Sequence, residues 1–161
     1  MALVVTGAAG LIGSHFVEFI NMKGKDDIIA VDDLTDGHKF ANLRDLSLID
    51  YLDKDDFLNA VRQGEFATGV DGIIHMGACS ATTEWNGRYL MKNNYEYSKI
   101  LLNHCIGSDI PFIYASSAAV YGDGEHGFKE AESCENPKNA YAYSKVMFDN
   151  YVRRKIATTS N

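Results

Sequence analysis

Apolar residues fall along this chain in two alternating textures. Short, nearly continuous runs at residues 3–6, 27–31, 72–75 and 111–116 have the length of buried strands, and a shorter run lies near 48–51. Between them, apolar residues recur every three or four positions, which predicts helices over 11–23, 88–106 and 140–157. A further helix is expected from Asp53 or Asp55, either of which can cap it, to about Gly64. In the first helix Leu11, Ile12, Phe16, Phe19 and Ile20 read as one apolar stripe. A loop is expected around Asp36 and Gly37. Strands that do not alternate in polarity, each followed by a helix, predict a parallel sheet covered on both faces. With right-handed crossovers this is an α/β doubly wound sheet of strand order 3-2-1-4-5.

Two motifs far apart give the fold its chemistry. Gly7, Gly10 and Gly13 follow the first apolar run and open the first helix. Such spacing allows a tight turn, a close backbone approach to a pyrophosphate and close helix–strand packing, with the helix N-terminus offering N–H groups to the phosphates. Near the other end, Tyr141 and Lys145 are four residues apart and share one helix face. An ammonium beside a positive nicotinamide favours the phenolate, which suits a tyrosine to acid–base work near neutral pH. Ser117, just past the fifth run, is placed to hydrogen-bond the same substrate hydroxyl. Asp32, at the end of the second strand, is where a carboxylate meets adenosine ribose hydroxyls, which favours NAD. Lys39 and Lys54 are candidates for a 2′-phosphate instead, and the residues alone leave NAD and NADP both open.

Composition narrows the partners. Of 161 residues, 46% are hydrophobic and 23% charged, as in a globular domain able to bury a core, and a net charge of −7 argues against duplex nucleic acid. No repeat, linker or low-complexity segment interrupts the chain, so residues 1–161 read as one dinucleotide-binding domain. No apolar run reaches the ~18 residues of a membrane span, and no signal-type leader opens the chain. Cys79, Cys105 and Cys134, odd in number and without CxxC spacing, read as reduced thiols of a cytoplasmic protein. His75 and Cys79 lack the further ligands of a zinc site, so no metal is expected. No GxSxG elbow surrounds the serines. Tyr89, Met91, Tyr95 and Tyr97 read as packing or an interface, and the acidic stretch 125–135 as a solvated loop.

Three further segments carry a resemblance. They are Val31-Asp32-Asp33-Leu34-Thr35-Asp36-Gly37-His38-Lys39-Phe40-Ala41-Asn42-Leu43, Gly77-Ala78-Cys79-Ser80-Ala81-Thr82-Thr83-Glu84-Trp85 and Asn93-Asn94-Tyr95. With the two motifs, they make the whole chain resemble the N-terminal half of the extended short-chain dehydrogenases/reductases, and more narrowly the ADP-L-glycero-D-manno-heptose 6-epimerases. The resemblance implies an isomerase that oxidises an ADP-activated heptose to a transient carbonyl and reduces it again, in lipopolysaccharide core synthesis. It implies that Leu11 and Ile12 line the cofactor, with Asp32, Asp33, Lys39 and Lys54 near the adenosine. Met76, Gly77, Ala78, Cys79 and Ser80 then run beside the ribose and nicotinamide, and Asn93 binds cofactor. Tyr141 is an acid/base and Lys145 holds the nicotinamide ribose. Met76 stands where the family has an acidic residue. Lys39 gains weight, and NADP is favoured over NAD.

A homo-oligomer is expected, and the resemblance implies a sugar-nucleotide domain and second catalytic lysine in a C-terminal half not represented here. On that basis the chain is expected not to epimerise by itself. It is expected to associate through the fifth strand as a sheet edge and through the last helix's Val146, Met147 and Tyr151. A 4-epimerase or dehydratase of another nucleotide sugar is the competing enzymatic reading, and a non-catalytic dinucleotide-binding fragment is the reading from another class.

Overall fold

The computed structural model describes residues 1–159, which divide into two compact units. Met1–Gly77 and Ile100–Ala115 form the first, and Ala78–Lys99 with the residues from Ser116 onward form the second.

The first unit is built on a five-stranded sheet. Strands β1 (Ala2–Thr6), β2 (Ile28–Asp32), β3 (Asp50–Asp53), β4 (Val70–His75) and β5 (Phe112–Tyr114) lie in the order β3-β2-β1-β4-β5, with all pairs parallel. This is the doubly wound, Rossmann-like sheet that the apolar runs predict. Val4 sits opposite Ile29 on one side and Ile73 on the other, and Val4 and Val5, which point to opposite faces of the sheet, are both fully buried. A core cluster of Val5, Ala8, Val17, Ile28, Ala30 and Ile74 packs beneath it, closed by Phe16, Ile20, Leu43 and Leu46 among others. Each large aliphatic side chain sealed this way contributes about 1.5–3 kcal/mol.

Helix α1 (Leu11–Met22) corrects the expected stripe. Its buried positions are Gly13, Ser14 and Val17, whereas Leu11 is 74% exposed and Ile12 and Phe19 are also open. Close approach of helix to strand requires a residue without a side chain, so the face through Gly13 turns inward and the bulkier pair at the N-terminus turns out. Helix α2 (Lys54–Arg62) is capped by Asp53, whose carboxylate accepts from the Asp55 N–H at 2.8 Å. Strand β3 begins two residues later than the apolar run suggests. Leu48 packs on the core, but the ladder opens only where Asp50 meets Ile29.

In the second unit, the helix expected over 88–106 is interrupted. It comprises α3 (Gly87–Leu90), a π-helical segment at Met91–Glu96 and α4 (Tyr97–Gly107), of which Ile100 onward belongs to the first unit. A 3-10 turn at Ala118–Tyr121 and helix α5 (Ala140–Thr159) complete the regular structure that matters for the site. Val146 on α5 is buried, and Met147 and Tyr151 are half-buried. Tyr95 meets Tyr151 edge-on with ring centres 6.4 Å apart, and the Lys99 ammonium lies 4.5 Å from the centre of the Tyr95 ring. The acidic stretch is largely exposed, as expected, with Cys134 buried and Glu132 and Glu135 both paired with Arg153. Among the described residues no helix is long and apolar enough to cross a membrane.

Candidate active site

The turn after β1 is shaped by what it cannot contain. Gly7 has a φ of +69°, and a Cβ there would lie 2.6 Å from the Gly77 backbone nitrogen. A Cβ on Gly13 would lie 2.1 Å from the Gly7 carbonyl oxygen. Backbone is therefore packed on backbone, and Gly10 caps α1 without a side-chain bond. The first N–H groups of α1 have no intrahelical partners, and they carry the positive end of the helix dipole. A turn that excludes a Cβ at Gly7 and Gly13 and ends in backbone donors fits a pyrophosphate. Thr6 holds the neighbouring strand ends together: its Oγ1 lies 2.6 Å from the buried His75 Nδ1 and accepts from the Gly77 N–H at 3.2 Å. The Met76 side chain packs on the core cluster.

At the end of β2 two aspartates and two lysines alternate. Asp32, 6% exposed, accepts from the Ala9 N–H at 2.8 Å and pairs with Lys39. Its carboxylate thus fastens the glycine turn. The Lys54 ammonium pairs with Asp33 at 2.7 Å, and together with the Thr35 N–H it holds the Asp33 carboxyl well below the usual carboxylate range. Asn42, which sequence reasoning passed over, donates to the Ala9 carbonyl at 2.8 Å and ties the following 3-10 turn to the same loop. The spacing of Asn42 and Ala9 carries no signal, because the contact depends on the whole β2 excursion.

The residues expected to do acid–base work lie in the second unit. Asn139 accepts from the Ala142 N–H at 2.8 Å and so starts α5 immediately before Tyr141. Tyr141 and Lys145, 8% and 9% exposed, are buried one turn apart. Burial lowers the Lys145 pKa, and the charge of Asp149 opposes that shift. Ser117 accepts from the Ala119 N–H at 3.2 Å, capping the 3-10 turn that packs against α5.

The expected pair at residues 93 and 94 splits. Asn93 donates to the Tyr89 carbonyl at 3.0 Å along its own helix. Asn94, 1% exposed, accepts from the Cys79 N–H at 2.8 Å, and its amide donates to the Cys79 carbonyl and to the Ser144 hydroxyl, each at 3.0 Å. One buried amide therefore fixes the backbone at Cys79, between Ala78 and Ser80, and the turn of α5 that carries Lys145. Cys79 itself is half-buried and Ser80 exposed. Among the described residues no group of His, Cys, Asp or Glu has the clustering of a metal site.

Known proteins share this fold. The family model of the NAD dependent epimerase/dehydratase family matches residues 3–159. ADP-L-glycero-D-manno-heptose-6-epimerase of Helicobacter pylori is 27% identical with a TM-score of 0.78, covering 96% of this chain and 51% of that one. The UDP-Glc/GlcNAc 4-epimerase of Campylobacter jejuni is 26% identical, with a TM-score of 0.78 and coverage of 99% and 50%. A dTDP-glucose 4,6-dehydratase from Streptomyces venezuelae, solved with NAD bound, is 28% identical, with a TM-score of 0.77 and coverage of 96% and 51%. The chain spans about half the length of these structures. A turn that admits no side chain at Gly7 or Gly13, a buried Tyr-x-x-x-Lys helix and a family match over residues 3–159 lead to one conclusion: the chain belongs to the NAD dependent epimerase/dehydratase family, the extended short-chain dehydrogenases/reductases.

Proposed function

We propose that this chain carries the cofactor-binding and acid–base residues of a nucleotide-sugar epimerase, and that its substrate is an ADP-activated heptose inverted at the sixth carbon. The observation that carries the reading is the burial of Tyr141 and Lys145 one turn apart on α5. A phenol and an ammonium in such a setting serve proton transfer to and from a sugar hydroxyl. The cradle at Gly7, Gly10 and Gly13 fits a dinucleotide, and a bound nicotinamide supplies the redox chemistry for oxidation and return. Gly7, Gly10, Leu11, Ile12 and Gly13 hold the pyrophosphate side, and Asp32, Asp33, Lys39 and Lys54 the adenosine side. Met76, Gly77, Ala78, Cys79, Ser80 and Asn93 border the nicotinamide half.

In this reading Tyr141, as phenolate, takes the proton of the sugar hydroxyl while the carbon is oxidised to a carbonyl, and it returns the proton on reduction. Lys145 holds the ribose hydroxyls and favours the phenolate electrostatically. Ser117 hydrogen-bonds the substrate oxygen. Full inversion needs an acid/base for each face, and Tyr141 serves one.

The heptose is favoured by the segment from Gly77 to Trp85, which resembles the heptose epimerases. A 4-epimerase or dehydratase of another nucleotide sugar is the second reading, favoured by identities of 26% and 28% to two such enzymes. NADP is the proposed cofactor, supported by Lys39 and Lys54, which pair with Asp32 and Asp33 at the end of β2, and NAD is the alternative. A homo-oligomer in the cytoplasm completes the proposal. Titration of the chain with each cofactor tests it. NADP(H) is expected to bind more tightly than NAD(H), and Lys39→Ala is expected to erase most of the preference. Equal affinities in the parent chain, or a preference untouched by Lys39→Ala, contradict the NADP assignment.

A further inference from the structure

Tyr141, Lys145 and Asp149 recur every fourth residue along α5, so a carboxylate stands one turn beyond the lysine on the same face. All three are buried. Asp149 is held in place, its Oδ2 accepting a hydrogen bond from the Ser116 hydroxyl at 2.5 Å. We propose that Asp149 is a positioning residue for the acid–base pair, a buried counter-charge that keeps the Lys145 side chain an ammonium and keeps it aligned beneath Tyr141. This rests on the reading of Tyr141 and Lys145 as the proton-transfer pair.

A buried lysine tends to lose its proton, because the charged form is the one that desolvation penalises. A neutral amine at Lys145 would neither favour the Tyr141 phenolate nor serve a ribose as a three-donor cation. Burial pulls Lys145 in that direction, and Asp149 is the charge that pulls it back. The elements that pack most on α5 are α3, the π-helical segment and the 3-10 turn at Ala118–Tyr121. Their titratable groups are Arg88, Tyr89, Lys92, Tyr95, Glu96 and Tyr121, of which Glu96 is engaged by Lys99 at 3.1 Å. Glu132 and Glu135 meet the helix at Arg153, one turn beyond Asp149 and within its field. The charge that opposes burial at Lys145 is Asp149, on its own helix, one turn on. Ser116 gives the carboxylate a hydrogen bond of its own, so Asp149 keeps a fixed orientation whatever occupies Lys145.

The alternative is that Asp149 merely bonds Ser116 and packs. The chain labelled isotopically at lysine Cε separates the two. Lys145 is assigned by the resonance lost in Lys145→Met, and its titration is followed against pH. Asp149→Asn is expected to move the Lys145 midpoint to lower pH, and Asp149→Glu to return it towards the parent value. Asp149→Ser supplies a second neutral variant should Asp149→Asn fail to fold, judged by the amide spectrum. A midpoint unchanged in a folded neutral variant, or moved equally by Asp149→Glu, overturns the proposal. The titration needs neither cofactor nor sugar. Failure of the epimerase reading would therefore appear separately, as a chain that binds no dinucleotide.

Discussion

Gly13 governs how near α1 comes to the turn after β1, because any side chain there meets the Gly7 carbonyl oxygen at 2.1 Å. Gly13→Ala must push helix and turn apart, at a cost of about 1–3 kcal/mol as in other overpacked sites. The expected outcome is a lower urea midpoint and a dinucleotide affinity at least tenfold weaker. A variant with parental stability and affinity would show that the turn is not the phosphate cradle. Residues of this kind were legible, because glycine spacing reports a local steric demand. Partners across the sheet were not. Asp32 reads as a ribose ligand by position, yet its carboxylate already bonds the Ala9 N–H and pairs with Lys39. Likewise Asn93 and Asn94 look alike in sequence, and only the π-helical pitch decides that the second amide turns inward to Cys79 and Ser144.

Elements were legible where burial and pairing coincide. β1, β2 and β4 are apolar because neighbours flank them on both sides, and their runs match the observed strands closely. β3 pairs on one side only, and its apolar signal from Leu48 precedes the ladder. The α1 stripe misled because hydrophobicity at Leu11 and Ile12 faces outward at the proposed cofactor side. On α4, Cys105 is sealed, and burial pushes its thiol up to about 12 from the ordinary value of 9.0. The folded state then holds a proton that the unfolded chain releases. Stability from this group is complete below pH 9.0 and is lost as pH climbs towards about 12. Cys105→Val is expected to flatten the fall of the urea midpoint across that window. An identical alkaline profile in the variant would contradict the burial of the thiol.

For the whole molecule, the sheet order and the family follow from motifs that are local, whereas the substrate does not. A doubly wound sheet hosts many reactions, so the sugar has to be argued from the site. Relatives acting on ADP-heptose, UDP-sugars and a dTDP-sugar stand at 26–28% identity, and this chain covers about half of each. What unites the account is the role proposed for Tyr141, a group that would move a proton whichever sugar is bound. The measurement that tests it most directly is transient cofactor reduction in the protein carrying this chain, supplied with NADP and an ADP-heptose, alongside its Tyr141→Phe variant. The account predicts a rate lower by about 10²–10⁴-fold in the variant, with cofactor affinity nearly unchanged, because only a proton-transfer group has been removed. Reduction at the parental rate in Tyr141→Phe would place the acid/base elsewhere and contradict the account.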